Sequence, residues 1–161
     1  MIERQLSEPA FDYVTQEDKT FIIAFTRRMA EMGYPYDGAI VDGICWGRHM
    51  LIFRRANVKS RAVVARIYLR EDSIALRLFL HNITKHAAFI SASPSHIREV
   101  FTGTSADCRR CRGEDCKFRK EYEIDGVPFV KCNGETFTFP DPTLARLPDY
   151  LRLFRAFYPA K

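Results

Sequence analysis

Residues 61–81 read RAVVARIYLREDSIALRLFLH, and this stretch decides the fold class. Apolar side chains recur at every second position on both sides of Glu71-Asp72, a link of the length that joins two strands in a hairpin. Such alternation is typical of antiparallel strands that bury one face and leave the other face partly polar. Together with the two runs before it, the stretch predicts an antiparallel meander. Its strands are 39–45, 46–55, 61–70 and 73–81.

Helical patterns lie on both sides of this meander. Thr15 is a favourable N-cap for an amphipathic helix over 16–32, which Gly33 would end. Two middle helices and a C-terminal helix are also predicted, over 84–92, over 94–101 and from Pro148 onward. We therefore predict one α+β domain over 1–161, an antiparallel meander sheet packed with N-terminal, middle and C-terminal helices.

Four of the five cysteines are close in sequence and have metal-ligand spacing. They are Cys108, Cys111, Cys116 and Cys132, in the pattern C-x2-C-x4-C-x15-C. Thiolates two residues apart in a tight turn can bind one tetrahedral ion, and four of them suit structural zinc. The strongest hairpin signals, Asp125-Gly126 and Asn133-Gly134, lie in the same region. A zinc-ribbon or knuckle-like four-cysteine module is therefore predicted over 104–139, within the domain.

Other interpretations of these cysteines stay open at this point. An iron–sulfur cluster also takes four thiolates, although the spacing matches no standard run. A redox dithiol or unligated thiols are the remaining alternatives. A closed four-thiolate shell has no open coordination position, so catalysis by the metal is not expected. The fifth cysteine, Cys45, is 63 residues upstream of Cys108 and is predicted to be a small buried apolar residue without a metal role.

Positive charge is concentrated in the middle of the chain. Residues 45–120 hold 16 basic and 6 acidic side chains, a net charge of +10, whereas 1–44 and 121–161 carry −4 and −1. Such a surplus favours an anionic partner, either a nucleic acid or a small anionic ligand. The alternatives are a solvated sheet face and, near the cysteines, arginines that neutralise the thiolates.

Part of this surplus follows the predicted sheet. Three arginines fall in three consecutive strands. Three aromatic residues lie nearby at alternating positions that face the same side of the predicted sheet. Aromatic faces stack on ligands and guanidinium forks bind anions bidentately, so the set predicts an aromatic–basic concavity. A solvent-facing surface with extended arginines, or arginines paired with acids of the first helix, is the alternative. The candidate ligand-binding residues are Trp46, Arg48, Arg66, Tyr68, Arg77 and Phe79.

The region from Cys108 through Lys120 to Cys132-Asn133-Gly134, followed by Leu147-Pro148-Asp149-Tyr150, resembles an uncharacterised family of small bacterial cytosolic proteins with a four-cysteine module. The resemblance covers about the last two-thirds of the chain. It implies that the cysteine module belongs to the domain, and it implies no particular activity.

The sequence also limits location and function class. No apolar run approaches the ~18–20 residues that a membrane-spanning helix needs, and the polar start, Met1 to Pro9, lacks the pattern of a signal peptide. We expect a cytoplasmic protein with no membrane partner, in which five cysteines would not form a disulfide scaffold. The histidines, His49, His81, His86 and His96, are predicted to be surface or capping residues.

No phosphate-binding glycine loop, nucleophile elbow, HExxH or paired-carboxylate signature occurs in the sequence. The leading hypothesis is a zinc-stabilised, non-catalytic binding protein whose basic surface takes an anionic partner. One alternative is a small-molecule sensor or an enzyme that uses the arginine- and aromatic-lined sheet face. Another is a structural or interaction protein. The sequence does not determine the oligomeric state.

Overall fold

The computed structural model describes residues 1–60, 62–103, 119–131 and 137–160. It has α+β architecture, as the sequence predicts, and the chain forms two compact units. The first unit comprises Met1–Phe79 and Phe139–Pro148, and the second comprises Leu80–Thr138 and Asp149–Lys161. The single domain over 1–161 stays a prediction. Each unit is described by itself below.

The first unit begins with helices. A short helix, α1, spans Ile2–Leu6 and is followed by the long helix α2, Gln16–Glu31. The Thr15 side chain caps α2, because its Oγ1 accepts a hydrogen bond of 3.1 Å from the backbone N–H of Asp18. Gly33 follows the helix with a φ of 91°, the left-handed conformation that ends helices. The predicted start and cap of this helix are therefore confirmed, and its last residue is Glu31, one residue before the predicted end.

The sheet of the first unit has five strands, with the bounds β1 Val41–Asp42, β2 His49–Arg54, β3 Val63–Leu69, β4 Ile74–Leu78 and β7 Thr138–Pro140. Their order in the sheet is β1-β2-β3-β4-β7. The first four form the predicted antiparallel meander, but β1 has only two residues, because a tight turn begins at Gly43. The fifth, β7, joins the sheet beside β4 and was not foreseen there.

One face of this sheet packs against α2. Leu51, Ile67 and Leu76 lie side by side in the register of β2, β3 and β4, and all three are buried. Phe25 of α2 meets the edge of the Phe53 ring at a centroid distance of 5.3 Å. The alternation of apolar residues in the sequence corresponds to this face, so the core of the first unit lies between α2 and the meander.

The second unit combines short helices with a hairpin. Its helices are α3 (Ala87–Ser91), preceded by a 3-10 turn at Ile83–His86, α4 (Ser95–Thr102) and most of α5 (Leu147–Phe157). Strands β5 (Lys120–Ile124) and β6 (Val127–Lys131) form the hairpin. Asp125 and Gly126 join them with φ values of 52° and 78°, the left-handed pair of a type I′ turn. The Asp125-Gly126 hairpin prediction is therefore confirmed.

The other predicted hairpin turn, Asn133-Gly134, lies outside the described residues, as does most of the predicted module over 104–139. In the described part of the chain, no helix combines the length and the apolar character that crossing a bilayer requires.

Candidate functional site

The second face of the five-stranded sheet carries the arginines that the sequence singles out. Arg66 of β3 is the direct cross-strand partner of Arg77 of β4, so both side chains leave the same face at the same level. Phe79 follows β4, and its ring contacts both. The guanidinium carbon of Arg66 is 5.3 Å from the centroid of the Phe79 ring, and that of Arg77 is 4.5 Å from it. Two cations therefore contact one aromatic ring.

These two arginines differ in their partners. Nη1 of Arg77 donates a hydrogen bond of 3.3 Å to the hydroxyl of Tyr68, and only 5% of Arg77 is exposed. Nε of Arg66 is buried, and no described residue accepts a hydrogen bond from it. No carboxylate among the described residues forms an ion pair with Arg66 either. Arg66 is thus a half-buried cation whose charge the described part of the chain leaves uncompensated.

The aromatic residues Trp46 and Tyr68 of the predicted set are partly or fully shielded from solvent. Tyr68 is only 1% exposed, and it packs with Met50 and Ala75 in a small apolar cluster on this face. Trp46 lies against the cluster, with its ring centroid 6.3 Å from that of Tyr68. The face is therefore not a solvent-exposed row of stacking rings, because Tyr68 has no free ring surface to offer.

The guanidinium group of Arg48 contacts residues outside the predicted ligand-binding set. Its exposed guanidinium forms an ion pair of 2.9 Å with Glu71 and lies 4.3 Å from the centroid of the Tyr13 ring. The cause is its position, since Arg48 precedes β2 and Glu71 lies in the turn between β3 and β4, at the same end of the sheet. The structure thus links five of the six predicted ligand-binding residues by contacts and directs the sixth elsewhere. The five are Trp46, Arg66, Tyr68, Arg77 and Phe79.

The four predicted metal ligands, Cys108, Cys111, Cys116 and Cys132, all lie outside the described residues. Within the described ranges, no group of three or more histidine, cysteine or acidic side chains is placed to hold a metal ion. The zinc site therefore stays a prediction.

The prediction for Cys45 is wrong, because this cysteine is exposed. It lies in the turn between β1 and β2, where a Cβ atom on Gly43 would come within 2.3 Å of the Gly47 carbonyl oxygen. Such close approach of the two glycine backbones narrows the base of the turn. The intervening residues Ile44 and Cys45 are consequently exposed.

The open end of the β5–β6 hairpin carries a second pair of opposed cations. Lys120 and Lys131 are direct cross-strand partners. Lys131 is buried, and this burial lowers the pKa of its ammonium group. Nζ of Lys120 donates to the Leu80 carbonyl at 3.1 Å and lies 3.1 Å from Nδ1 of His81. Both sheets of the protein thus place two cations directly opposite each other.

A cleft of about 530 Å³ lies beside Lys120 in the second unit. Sequence reasoning missed it, because Lys120 is 39 residues from His81 and only the tertiary structure brings them into contact. The sole sequence signal was the Asp125-Gly126 turn, which sets the hairpin register but not the elements that pack beside it. The cleft is lined by His81, Asn82, Ile83, Thr84, Lys85, Lys120 and Glu121.

The contact between Lys120 and His81 predicts a pH dependence of stability. Burial and the charge of Lys120 lower the pKa of His81 from its ordinary value of 6.5, and burial followed by Lys85 lowers that of His86. The unfolded chain then binds these protons more readily, so stability that is full above about pH 6.5 is lost as the pH falls from about 6.5 to the lower folded-state pKa values, below which no further loss occurs. We expect the free energy of unfolding, measured with urea, to decrease between about pH 7 and pH 5.

In the His81→Gln variant, the free energy of unfolding should decrease less steeply with falling pH than in the unchanged protein. His86 contributes in the same direction, so the slope should diminish rather than vanish. Equal slopes for the two proteins would contradict the assignment to His81.

Comparison with known proteins adds no relative: no family model, curated protein or solved structure matches this chain. The fold and the described contacts are therefore the basis of the functional argument.

Proposed function

We propose that this chain is a zinc-stabilised, non-catalytic binding protein whose ligand is a small anionic molecule bound at Arg66, Arg77 and Phe79. The observation that carries the proposal is the pair of directly opposed arginines around one phenylalanine ring. Like charges directly opposite each other destabilise a sheet. An anion that bridges the two guanidinium groups would remove this repulsion.

The chemistry of the pair favours a carboxylate or a phosphate group. Guanidinium groups present N–H donors in a planar fork that matches both anions, and their hydrogen bonds are strongest where water is partly excluded. Phe79 contacts both guanidinium groups and so limits their freedom before a ligand arrives. Arg66 is the better anchor, since it is half-buried, whereas only 5% of Arg77 is exposed and its Nη1 already donates to Tyr68.

The burial of Tyr68 favours a small ligand over a nucleic acid at this face. Single-stranded nucleic acids bind to exposed aromatic rings on which successive bases stack, whereas Tyr68 is only 1% exposed. The +10 charge of residues 45–120 is the argument for a nucleic acid. Salt-sensitive affinity for random-sequence DNA or RNA that Arg66→Gln leaves unchanged would support a nucleic-acid surface elsewhere.

The register of the β5–β6 hairpin supports the zinc part of the proposal. Cys116 lies four residues before Lys120, and Cys132 directly follows Lys131. Because Lys120 and Lys131 are cross-strand partners, the two cysteine-bearing segments join the hairpin at the same end. A zinc ion with four thiolates carries two negative charges, which would offset the repulsion between these lysines.

The ligand proposal is tested with the single tryptophan as reporter. Trp46 packs near Tyr68, whose hydroxyl accepts from Arg77, so its fluorescence should respond when an anion binds at the arginine pair. We expect saturable titrations with at least one of phosphate, pyrophosphate, succinate or AMP. We expect Arg66→Gln to weaken that binding by about tenfold, because a charge-assisted pair of hydrogen bonds is lost.

Two variants make this result specific. Arg66→Lys keeps the charge but loses the fork, so it should rescue binding only in part. Arg98→Gln removes the same charge from an exposed position on α4 and should bind the anion as tightly as the unchanged protein. The proposal is wrong if none of the four anions binds saturably, or if Arg98→Gln weakens binding as much as Arg66→Gln does.

A further inference from the structure

We propose that the cleft of the second unit is a separate site for a small, polar, phosphorylated molecule, bound by Lys85, Lys120, His81 and Thr84. This site lies outside the residues that the sequence analysis assigns to a ligand or a metal ion, and it shares no residue with the sheet face of the first unit. The inference goes beyond the proposed ligand site and does not depend on it.

The described lining of the cleft has a net positive charge. Among these residues Lys85 and Lys120 contribute two cations, and Glu121 is the one acidic residue. Lys120 is held in place by its hydrogen bond to the Leu80 carbonyl, so its charge is fixed beside the cleft. A phosphate group carries between one and two negative charges near pH 7, which complements two lysines better than a single carboxylate does.

The contact with Lys120 also determines the proton position on His81. An ammonium group can only donate, so Nδ1 of His81 must accept from Lys120 and cannot carry a proton. The ring proton of the neutral histidine is therefore on Nε2, which is a hydrogen-bond donor for an oxyanion. The lowered pKa of His81 is consistent with this neutral form.

Thr84 supplies a further oriented donor. Its Oγ1 accepts a hydrogen bond of 3.1 Å from the backbone N–H of Glu123 in β5. This bond fixes the oxygen and leaves the hydroxyl proton to donate to a ligand. The donors of the cleft are thus positioned by contacts within the second unit before any ligand binds, which lowers the entropic cost of binding.

The lining also indicates the chemistry of the part of the ligand that carries the phosphate group. A volume of about 530 Å³ accommodates more than a free phosphate ion and is within the usual range of small-molecule sites. The described lining contains no phenylalanine, tyrosine or tryptophan, and Ile83 is its only apolar side chain. A polar phosphate ester fits this described lining, which offers a nucleobase no aromatic ring beyond the imidazole of His81 on which to stack.

Isothermal titration calorimetry with glycerol phosphate tests the site. We expect saturable binding that glycerol alone does not show, and weaker binding of AMP than of glycerol phosphate. Lys85 is exposed, so the Lys85→Gln variant should fold normally. It should lower the affinity for glycerol phosphate by about fivefold to tenfold, because one charge-assisted hydrogen bond is lost. Glu121→Gln, which removes the opposing charge, should strengthen binding by about twofold to fivefold.

Two further variants separate this site from other cationic surfaces. Lys59→Gln removes the same charge from an exposed lysine of the first unit and should leave the affinity for glycerol phosphate unchanged, as should Arg66→Gln. The proposal is overturned if glycerol phosphate shows no saturable binding up to ~10 mM. It is also overturned if Lys59→Gln reduces the affinity as much as Lys85→Gln, or if AMP binds more tightly than glycerol phosphate.

Discussion

Replacing Phe25 by alanine is expected to lower the free energy of unfolding by about 3–5 kcal/mol, the usual cost of truncating a fully buried aromatic side chain. Phe25 is completely buried, stacks on Phe21 within α2 at 5.9 Å and meets the edge of Phe53 from the sheet at 5.3 Å. The substitution removes the contact that joins helix to sheet and leaves a cavity between them. Urea-induced unfolding followed by circular dichroism measures the change.

Phe89→Ala is the matched control. Phe89 lies in α3 with 39% of its surface exposed, so the same truncation there removes less buried area and should cost about 1–2 kcal/mol. Equal losses for the two variants would show that Phe25 is not a central core residue. A result below about 1.5 kcal/mol for Phe25→Ala would contradict tight packing between α2 and the sheet.

Cys108→Ser and Cys132→Ser are each expected to abolish most of the bound zinc. Structural zinc held by four thiolates contributes folding energy directly, on the order of 10 kcal/mol or more in small zinc modules, so loss of one ligand should also destabilise the region around the hairpin. Elemental analysis of the purified protein should give about one zinc per chain before substitution and far less after it. X-ray absorption should report four sulfur ligands at ~2.3 Å.

Cys45→Ser is the control for the cysteine series. Cys45 is exposed and far from the other four in sequence, so its substitution should change neither the zinc content nor the stability. Iron in place of zinc would contradict the identity of the ion and favour the cluster alternative. Unchanged folding in the presence of a strong chelator would contradict a structural role for any metal.

The elements that depend on neighbours along the chain could be predicted closely. Thr15 and Gly33 mark the two ends of α2, and the structure shows the cap and the left-handed residue that these types favour. The alternation over 61–81 predicted β3 and β4 because period-two burial depends only on which face each residue takes. Asp125-Gly126 predicted the β5–β6 turn because few residue pairs accept positive φ.

Features that depend on distant contacts were predicted less well. Arg48 was placed with Arg66 and Arg77 by strand phase, yet the nearby carboxylate of Glu71 draws its side chain to the end of the sheet. Cys45 was expected to be buried because free cysteines usually are, yet it lies in a narrow turn between glycines. Strand β7 joins β4 across about 60 residues of sequence, and no local pattern indicates such a pairing.

The sequence by itself therefore determined the α+β class, the long capped helix, the meander and the β5–β6 turn, because hydrophobic periodicity and turn chemistry act over a few residues. It also supplied the cysteine spacing from which the zinc site is predicted. Only the tertiary structure decided which polar groups meet: Arg66 with Arg77 around Phe79, and His81 with Lys120 beside a cleft. Such encounters depend on strand register and on the packing of elements far apart in the chain, which the local free energies of turns and helices do not specify.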